Sequence, residues 1–360
     1  MAKPGSFRYF PGVKIIKSDF DFFSAAHIVA RLMLAMLLAP HVFKRARQLA
    51  TPHNSRKAWL KRLYRALMIV RYKPDVIHFQ WAAHISDYAN LIESGRYITV
   101  ISLRGTQINV DPFLDNQLAK AYRKLFPHCF FHAVSHTIGM RAQQFGAKAD
   151  RIRVIYSPVP AHFTDSYKPL TGLPDTKLKI VSVGRFHWIK GYTYAFEAIR
   201  MLKARGIQVV YTLIASGQIP GEILYQLKDR GLEQEVVIVP HVNYRTMPSE
   251  LQQHDVLLLP SVEEGIANVV LEAMAVGLPV VSTMCGGMDE VIRSGENGWL
   301  VPIRNSVGMA DALQKFTSTT PEKLNAITEA AYQTIRTKFD YQTGMTAFEE
   351  LYPWVLKQKQ

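Results

Sequence analysis

The segment SVEEGIANVVLEAMAVGLPVV, residues 261–281, joins two apolar runs through a glycine turn and a helical pattern. A strand predicted to end at Leu259 precedes it, and Gly265 permits a tight turn. Asn268 suits a helix N-cap, so we expect a helix over 269–276. Backbone N–H groups at such a helix start favour phosphate or sugar oxygens. The segment therefore predicts a ligand site at the carboxyl end of a buried strand.

Short apolar runs alternate with helical patterns along most of the chain. The runs lack alternating polarity, which is typical of strands buried on both faces. We predict nine strands, over 75–79, 98–103, 129–134, 153–156, 179–183, 209–215, 236–239, 256–259 and 279–282. Helices are predicted over 114–126, 138–145, 193–205, 222–230, 247–254 and 321–360, the last with a break near Pro353. This alternation predicts parallel sheets covered by helices.

The chain has 360 residues, which is more than one hydrophobic core usually serves, so we expect two domains. The segment 157–177 carries four of the 19 prolines and has no sustained period, which is typical of a linker. We predict an N-terminal domain over 1–165 and a C-terminal domain over 166–345. A last helix, over 346–360, is expected to cross back to the first domain.

The N-terminal domain is predicted to be short. Counting back from Asp75, there is room for one strand, over 12–17, and two helices. A doubly wound domain normally opens with a strand and a glycine-rich turn, and this sequence does not. Either the fold begins differently or a first βαβ portion is absent.

The net charge of +14 is spread unevenly. Residues 1–170 carry 25 Lys and Arg against 9 Asp and Glu, whereas residues 171–360 carry 18 against 20. The segment 44–73 has ten basic residues and no acidic one, with apolar residues at helical spacing between them. An anionic membrane or a phosphate-bearing substrate fits such a patch. A helix packed on its own domain with a solvated basic face fits equally well. No nucleic-acid motif is recognised, so no nucleic-acid partner is expected.

Composition excludes several classes of protein. A hydrophobic content of 48% and a charged content of 20% are typical of a globular chain. No apolar run is long enough to predict a transmembrane helix, and the first ten residues lack a signal-peptide core. Cys129 and Cys285 have no metal-ligand spacing, and we expect both to be reduced and Cys285 to be a packed side chain. A cytoplasmic protein is therefore expected.

A second ligand loop is predicted in IVSVGRFHWIKGYTYAFEAI, residues 180–199. A buried strand ends at Gly184 and Arg185, and Lys190 and Gly191 precede a helix. Arg offers a fork to phosphate oxygens and Lys a point charge, so the loop is a candidate anion site. Two ordinary surface cations are the alternative.

Two carboxylates frame the segment 261–281. Glu264 precedes the predicted helix and Glu272 lies in it. Vicinal hydroxyls of a sugar or ribose would donate to such carboxylates, whereas a helix cap and a surface charge are the alternative roles. After the next strand, a di-glycine at 286–287 brings backbone amides close to a ligand and opens a short helix with Asp289 and Glu290.

Together these segments resemble the retaining GT-B glycosyltransferases of family 4, which use nucleotide-sugar donors. The resemblance is carried by GRFHWIKG (184–191), EGIANVVLEAMAVGLPVVST (264–283), CGGMDEVI (285–292) and ENGWLVP (296–302). It implies an α/β protein of the GT-B fold, with two Rossmann-like doubly wound parallel-sheet domains facing across a cleft. It also implies sugar transfer to a glycan or lipid-linked acceptor, in cell-surface polysaccharide biosynthesis.

The resemblance implies a role for each candidate residue. Glu264 would face the transferred sugar and Glu272 the nucleotide ribose. Arg185 and Lys190 would hold the diphosphate and stabilise its charge as it leaves, so no metal or other cofactor is expected. Further donor contacts would come from Gly184, Gly217, His241, Val242, Gly265, Ile266, Ala267, Asn268 and Val269.

The sequence departs from the family pattern at two places. Arg104 stands where many members carry a histidine, and on the acceptor side it would bind phosphate or an acidic acceptor. The glycine-rich N-terminal loop is missing. A non-catalytic nucleotide-binding subunit that acts with a partner is therefore the alternative function. Peripheral contact of the segment 44–73 with an anionic inner membrane face is also expected.

Overall fold

The computed structural model describes residues 25–170 and 177–358, so the strand predicted over 12–17 lies outside the described residues. The described residues form two α/β domains, each built on one wholly parallel sheet. Apolar cores lie on both faces of each sheet, which confirms the prediction from strands without a polar face. The predicted boundaries at 165 and 345 stay predictions.

Three helices open the described part of the chain: α1 (Ala25–Leu38), α2 (Pro40–Leu49) and α3 (Arg56–Tyr72). The sequence predicts two helices here. Pro40 explains the difference, because it takes one of the first positions of α2 and cannot continue the helix before it. The three helices share a core of their own, which includes Leu67. No helix in residues 25–170 and 177–358 combines the length and the apolar character needed to span a bilayer.

The N-terminal domain continues with a four-stranded sheet. Its elements are β1 (Val76–Phe79), α4 (Ala89–Glu93), β2 (Ile98–Leu103), α5 (Thr106–Asn109), α6 (Asp111–Leu114), α7 (Asn116–Leu125), β3 (Phe130–Ala133), α8 (His136–Gln144) and β4 (Ile152–Val154). The strands stand in sequential order and every pair is parallel. The helix predicted over 114–126 is interrupted at Asp115. Its carboxylate accepts hydrogen bonds from the N–H groups of Gln117 and Leu118 at 2.8 and 3.2 Å, and so caps α7.

The C-terminal domain contains a six-stranded sheet. From the linker onward the elements are α9 (Ala161–Thr164), β5 (Leu178–Val183), α10 (Tyr192–Ala204), β6 (Val209–Ile214), α11 (Gly221–Asp229), β7 (Val236–Val239), α12 (Met247–Leu251), β8 (Val256–Leu259), α13 (Asn268–Val276), β9 (Val280–Thr283), β10 (Trp299–Val301), α14 (Ser306–Thr317) and α15 (Pro321–Lys338). The strand order is β10-β9-β8-β5-β6-β7. The chain changes its direction across the sheet between β5 and β8. Ligands of such sheets bind at the carboxyl ends of the strands at this switch point.

The nine predicted strands are all present, and their ends differ by no more than two residues. The sequence does not predict β10, because a three-residue apolar run is too short to distinguish from a loop. The helix predicted over 247–254 ends earlier, at Leu251.

The last described helix, α16 (Tyr341–Lys357), returns to the N-terminal domain. Leu351 and Val355 of this helix are buried in one core with Val100 of β2 and Phe130 of β3. The last described helix therefore covers one face of the N-terminal sheet.

The break in the C-terminal helical region lies earlier than predicted. It falls at Phe339 and Asp340, where the Asp340 carboxylate caps α16, and Pro353 lies inside the helix. Burial of Leu351 and Val355 on either side of Pro353 holds the helix on the sheet despite the missing N–H group.

The carboxylate of Glu290 joins the two domains. It accepts hydrogen bonds from the backbone N–H groups of His136 and Thr137 at 2.9 and 3.0 Å. The Tyr156 hydroxyl donates to it at 3.1 Å. His136 and Thr137 are the first residues of α8, so the carboxylate also meets the positive end of the helix dipole. Glu290 of the C-terminal domain thus caps a helix of the N-terminal domain.

Close packing of backbone supports this contact. A Cβ added at Gly265 would collide with the carbonyl oxygen of Arg104. A Cβ at Gly287 would lie 2.7 Å from the Cβ of Ser135. Because only glycine allows the loops to approach this closely, these two positions set the separation of the domains.

A buried row of hydrogen bonds crosses the N-terminal sheet under α16. It runs from the Tyr352 hydroxyl to His78 Nδ1 (2.9 Å), from His78 Nε2 to Ser102 Oγ (2.9 Å) and from Ser102 Oγ to His132 Nδ1 (2.8 Å). His132 Nε2 then lies 2.9 Å from the carbonyl oxygen of Ile155. Burial lowers the pKa of His78 and His132 to about 4, so both are neutral at pH 7. Since a carbonyl only accepts, His132 Nε2 carries the proton and His132 Nδ1 accepts from the Ser102 hydroxyl. Ser102 Oγ in turn accepts from His78 Nε2–H, and His78 Nδ1 accepts from the Tyr352 hydroxyl.

We expect the free energy of unfolding to fall as the pH drops from about 6.5 to about 4. Unfolded histidines protonate near pH 6.5, whereas His78 and His132 stay neutral in the fold down to about pH 4. The unfolded state therefore binds more protons in this window, and each histidine adds a slope of up to about 1.4 kcal/mol per pH unit. Urea titrations across the window measure it. His132→Gln should flatten the slope and the exposed control His128→Gln should not; equal slopes would contradict the assignment.

Glu290→Ala should accelerate amide hydrogen exchange at His136 and Thr137 by about 10- to 100-fold, since a hydrogen bond to a charged group contributes about 1.5–3 kcal/mol. Asp289→Ala is the matched control, because it removes an exposed carboxylate one residue away. Unchanged exchange in the Glu290 variant would show that α8 is not held across the cleft.

Candidate active site

The two predicted ligand loops meet at the switch point of the C-terminal sheet, after β5 and β8. Gly191 takes φ +66°, and a Cβ there would collide with the carbonyl oxygen of Pro260. Glycine is therefore required where the loops touch. One helical turn over Trp188–Lys190 precedes it and carries Lys190 to the loop after β8.

An ion pair joins these two loops. Lys190 Nζ lies 2.6 Å from Glu264 Oε1, and Ser261 Oγ donates to the same oxygen at 2.9 Å. The side chains of Lys190 and Glu264 are only 18% and 14% exposed, so salt screens the pair weakly. Sequence reasoning gave these residues separate roles and did not predict that they touch. Glu264 positions the Lys190 ammonium.

Gly184 leaves space for this pair. A Cβ there would lie 2.8 Å from the Tyr192 hydroxyl and 3.2 Å from Lys190 Cε. The Tyr192 hydroxyl is buried and has no hydrogen-bond partner among the described residues. Burial raises the pKa of Tyr192 above its ordinary value, so the hydroxyl stays protonated.

The start of α13 differs from the prediction by one residue. Ala267, in extended backbone, is the N-cap residue, and Asn268 is the first helical residue. The Ala267 N–H donates to Met288 Sδ at 3.5 Å, which holds the turn in place before the helix. Ile266 and Val269 are buried, whereas Asn268 is exposed. No side chain within residues 25–170 and 177–358 caps the helix, so the N–H groups of its first residues, Asn268 and Val269, have no side-chain partner there.

Glu272 lies in the second turn of α13 and binds Tyr244. The Tyr244 hydroxyl donates to Glu272 Oε1 at 3.0 Å. Burial raises the pKa of the Glu272 carboxyl, and this hydrogen bond partly offsets the rise. Sequence reasoning missed Tyr244, although it belongs to the loop after β7 from which His241 and Val242 were selected.

The other predicted donor residues lie along the carboxyl ends of β5 to β7. Gly217 takes φ +105° with open space around it. Val242 packs on the core beside α13, and His241 is exposed. Arg185 is exposed and forms no ion pair with any described residue, in contrast to Lys190.

Arg104 lies on the loop after β2, on the N-terminal side of the cleft. Its guanidinium donates to Gln80 Oε1 at 3.2 Å and lies 5.9 Å from the centre of the Trp81 ring. Its carbonyl oxygen packs so close to Gly265 that a Cβ at position 265 would collide with it. Arg104 therefore stands at the domain contact, beside the loop that carries Glu264.

A cleft of about 320 Å³ opens at the same contact. Asn109 and Phe113 line it from one domain, and Trp188 and Glu263 from the other. The Asn109 side-chain amide donates to Glu263 at 2.7 Å and to the carbonyl oxygen of Glu264 at 3.2 Å. Burial raises the pKa of the Glu263 carboxyl. Sequence reasoning missed these lining residues, because single exposed aromatics occur on most protein surfaces. The four charged residues predicted to bind the donor do not line this cleft; they are Arg185, Lys190, Glu264 and Glu272.

Both cysteines are buried and free. Burial raises the pKa of each thiol to about 12. A thiol that stays protonated is a poor nucleophile, so Cys285 packs as a small side chain, as expected.

A family model described as glycosyl transferases group 1 matches residues 177–319, which include the predicted donor residues. The putative colanic acid biosynthesis glycosyltransferase WcaL of Salmonella typhimurium is 30% identical over 209 residues, covering 56% of this chain and 51% of WcaL. The amylovoran biosynthesis glycosyltransferase AmsK of Erwinia amylovora is 28% identical over 306 residues, covering 81% of this chain and 74% of AmsK. The chain thus spans about half the length of the first relative and three quarters of the second.

Two solved structures share the two-domain arrangement. Sucrose-phosphate synthase from Thermosynechococcus elongatus superposes with a TM-score of 0.71 at 18% identity, over 86% of this chain and 82% of that one. Anabaena HepE, in complex with UDP and glucose, gives 0.68 at 20% identity, over 84% of each chain. The chain therefore has the GT-B fold, and its residues 177–319 match the model of glycosyl transferases group 1.

Proposed function

We propose that this protein is a retaining glycosyltransferase that moves a sugar from a nucleoside-diphosphate donor to a glycan or lipid-linked acceptor of a cell-surface polysaccharide. The Lys190–Glu264 pair carries this proposal, because it puts a shielded cation and a carboxylate at the switch point of the sheet. The relatives named for colanic acid and amylovoran biosynthesis support the polysaccharide, and the UDP complex of HepE supports the nucleotide donor.

The diphosphate of the donor lies between Arg185 and Lys190 in this proposal. Lys190 is held by Glu264, whereas the exposed Arg185 has no carboxylate to release before it binds phosphate. The open N–H groups of Asn268 and Val269 add donors at the positive end of α13.

The nucleoside extends from the diphosphate toward β7. Glu272 accepts hydrogen bonds from the two vicinal ribose hydroxyls, and Tyr244 orients one of its oxygens. The base lies near His241 and Val242, and Gly217 forms the open floor of the groove.

The transfer breaks the bond between the anomeric carbon and the phosphate oxygen, and the electron pair leaves with the diphosphate. Arg185 and Lys190 stabilise that charge, so the proposal needs no metal ion. The acceptor hydroxyl attacks from the face that the phosphate leaves, and its proton passes to a phosphate oxygen, so the configuration is retained. Glu264 faces the sugar, where its negative charge favours the oxocarbenium-like carbon.

The acceptor enters from the N-terminal side, past Arg104 and the cleft lined by Phe113 and Trp188. We place the reaction in the cytoplasm, at the inner membrane face. The alternative is a non-catalytic subunit that binds the nucleotide and serves a partner protein. Nucleotide binding without turnover, against a broad set of acceptors, would favour that alternative.

Calorimetric titration with UDP, GDP and ADP tests the donor site. One nucleotide should bind, and Arg185→Ala and Glu272→Ala should each weaken it by about 10- to 100-fold, since a hydrogen bond to a charged group contributes about 1.5–3 kcal/mol. Glu233→Ala, which removes an exposed carboxylate elsewhere in the domain, is the control. If none of the three nucleotides binds, the donor proposal fails.

Glu264→Gln should separate binding from catalysis. Loss of the carboxylate 2.6 Å from Lys190 Nζ frees this cation and removes repulsion of the diphosphate, so nucleotide affinity should stay the same or rise. The same change should lower kcat by about 100-fold, because one charged contact in the transition state contributes roughly 3 kcal/mol. Lys190→Ala should instead lower both the nucleotide affinity and kcat. Steady-state kinetics and calorimetry measure the difference, and a Glu264→Gln enzyme with full kcat would exclude this role.

A further inference from the structure

α1 is apolar on its outer side as well as on its inner side. Ile28 and Leu32 face the core shared with α2 and α3. The outer side forms the α1 patch, whose members are Met33, Leu34, Met36, Leu37 and Leu38, exposed by 57, 55, 49, 74 and 75%. The helix has one fully charged residue, Arg31, and its guanidinium donates to the Tyr64 hydroxyl. A helix that is apolar all round is normally covered on every side. The α1 patch lacks the polar groups of a surface that faces water.

A positively charged rim adjoins the α1 patch. α2 follows α1 after one residue, and α3 packs against both helices. The rim consists of exposed cations on α2 and on the first turn of α3, namely Lys44, Arg45, Arg47, Arg56 and Lys57. None of them forms an ion pair with a described residue. Their charge is therefore available to an external anion.

Of the two interpretations of the segment 44–73, α3 matches the helix packed on its own domain. Leu63 and Leu67 of α3 are buried in the core of α1 to α3. Arg62 and Arg65 pair with Asp87 of their own domain. The apolar face of α3 and two of its cations therefore serve the fold, and the exposed apolar side chains beside the rim lie on α1.

We propose that the α1 patch and its rim dock the protein on the surface of an anionic phospholipid bilayer. Six residues of helix span only about 9 Å, so α1 would lie in the plane of the interface rather than cross it. Leu37 and Leu38 would enter the acyl boundary, while the rim meets the lipid phosphates. Apolar side chains beside unpaired cations match the two chemistries of this surface. The proposal does not depend on sugar transfer, because no residue of the α1 patch belongs to the candidate active site.

Vesicle flotation tests the docking surface. The full chain should float with phosphatidylglycerol vesicles at low salt, and binding should weaken several-fold on phosphatidylcholine or in roughly 0.5 M salt. Leu37→Glu with Leu38→Glu should reduce binding by tenfold or more, and Lys44→Gln, Arg45→Gln and Arg47→Gln by about fivefold each. The matched control is Leu224→Glu with Tyr225→Glu, which changes an exposed apolar pair on α11 and should bind as the wild type does. An unchanged far-UV circular dichroism spectrum and an unchanged urea unfolding midpoint show that a variant has folded.

A fluorescent label locates the contact. Both native cysteines are buried, so an environment-sensitive fluorophore on a Leu37→Cys variant reports position 37. Its emission should shift to the blue with anionic vesicles.

Three results with vesicles would overturn the proposal. They are failure of the wild type to float, full binding by the Leu37→Glu and Leu38→Glu variant, and flotation without a blue shift at position 37. A dimer that dissociates in that variant, seen by sedimentation without vesicles, would also overturn it, since a second copy would then cover the α1 patch.

Discussion

Glu290 projects from the C-terminal domain and binds the first two N–H groups of α8 in the N-terminal domain. The first N–H groups of a helix point along its axis, so the carboxylate lies at the N-terminal end of α8 and links this helix to the C-terminal domain. Gly265 and Gly287 let the loops touch beside it. The cleft has one wall from each domain. The distance between Arg104 and the loop that carries Glu264 therefore depends on this contact between the domains.

The two parallel sheets could be predicted because a strand buried on both faces leaves an uninterrupted apolar run. Local patterns failed where tertiary contacts decide. Pro353 stays inside α16, without the predicted break, because its neighbours Leu351 and Val355 are buried. Asn268 favours an N-cap, but the turn held by Met288 gives that place to Ala267.

The candidate site was predicted residue by residue, and its contacts were not. Lys190 and Glu264 are 74 positions apart, and they touch because β5 and β8 are neighbours in the sheet. Glu272 and Tyr244 meet for a related reason, since α13 packs beside the loop after β7. Strand order is a property of the whole sheet, and no local pattern encodes it. The sequence of α1 is apolar on all sides, so only the packing of Ile28 and Leu32 in the core shows which side faces outward.

α16 has a consequence for synthesis of the chain. Among the described residues, the four strands of the N-terminal sheet end at β4, yet α16 packs on the face with Val100 and Phe130, where Leu351 and Val355 are buried. At translation rates of about 5–20 residues per second, roughly 10 to 40 seconds pass between the synthesis of β4 and the synthesis of α16. During this interval the face of the nascent sheet lacks the apolar cover that α16 provides. The domain that the ribosome makes first is the domain that folds to completion last.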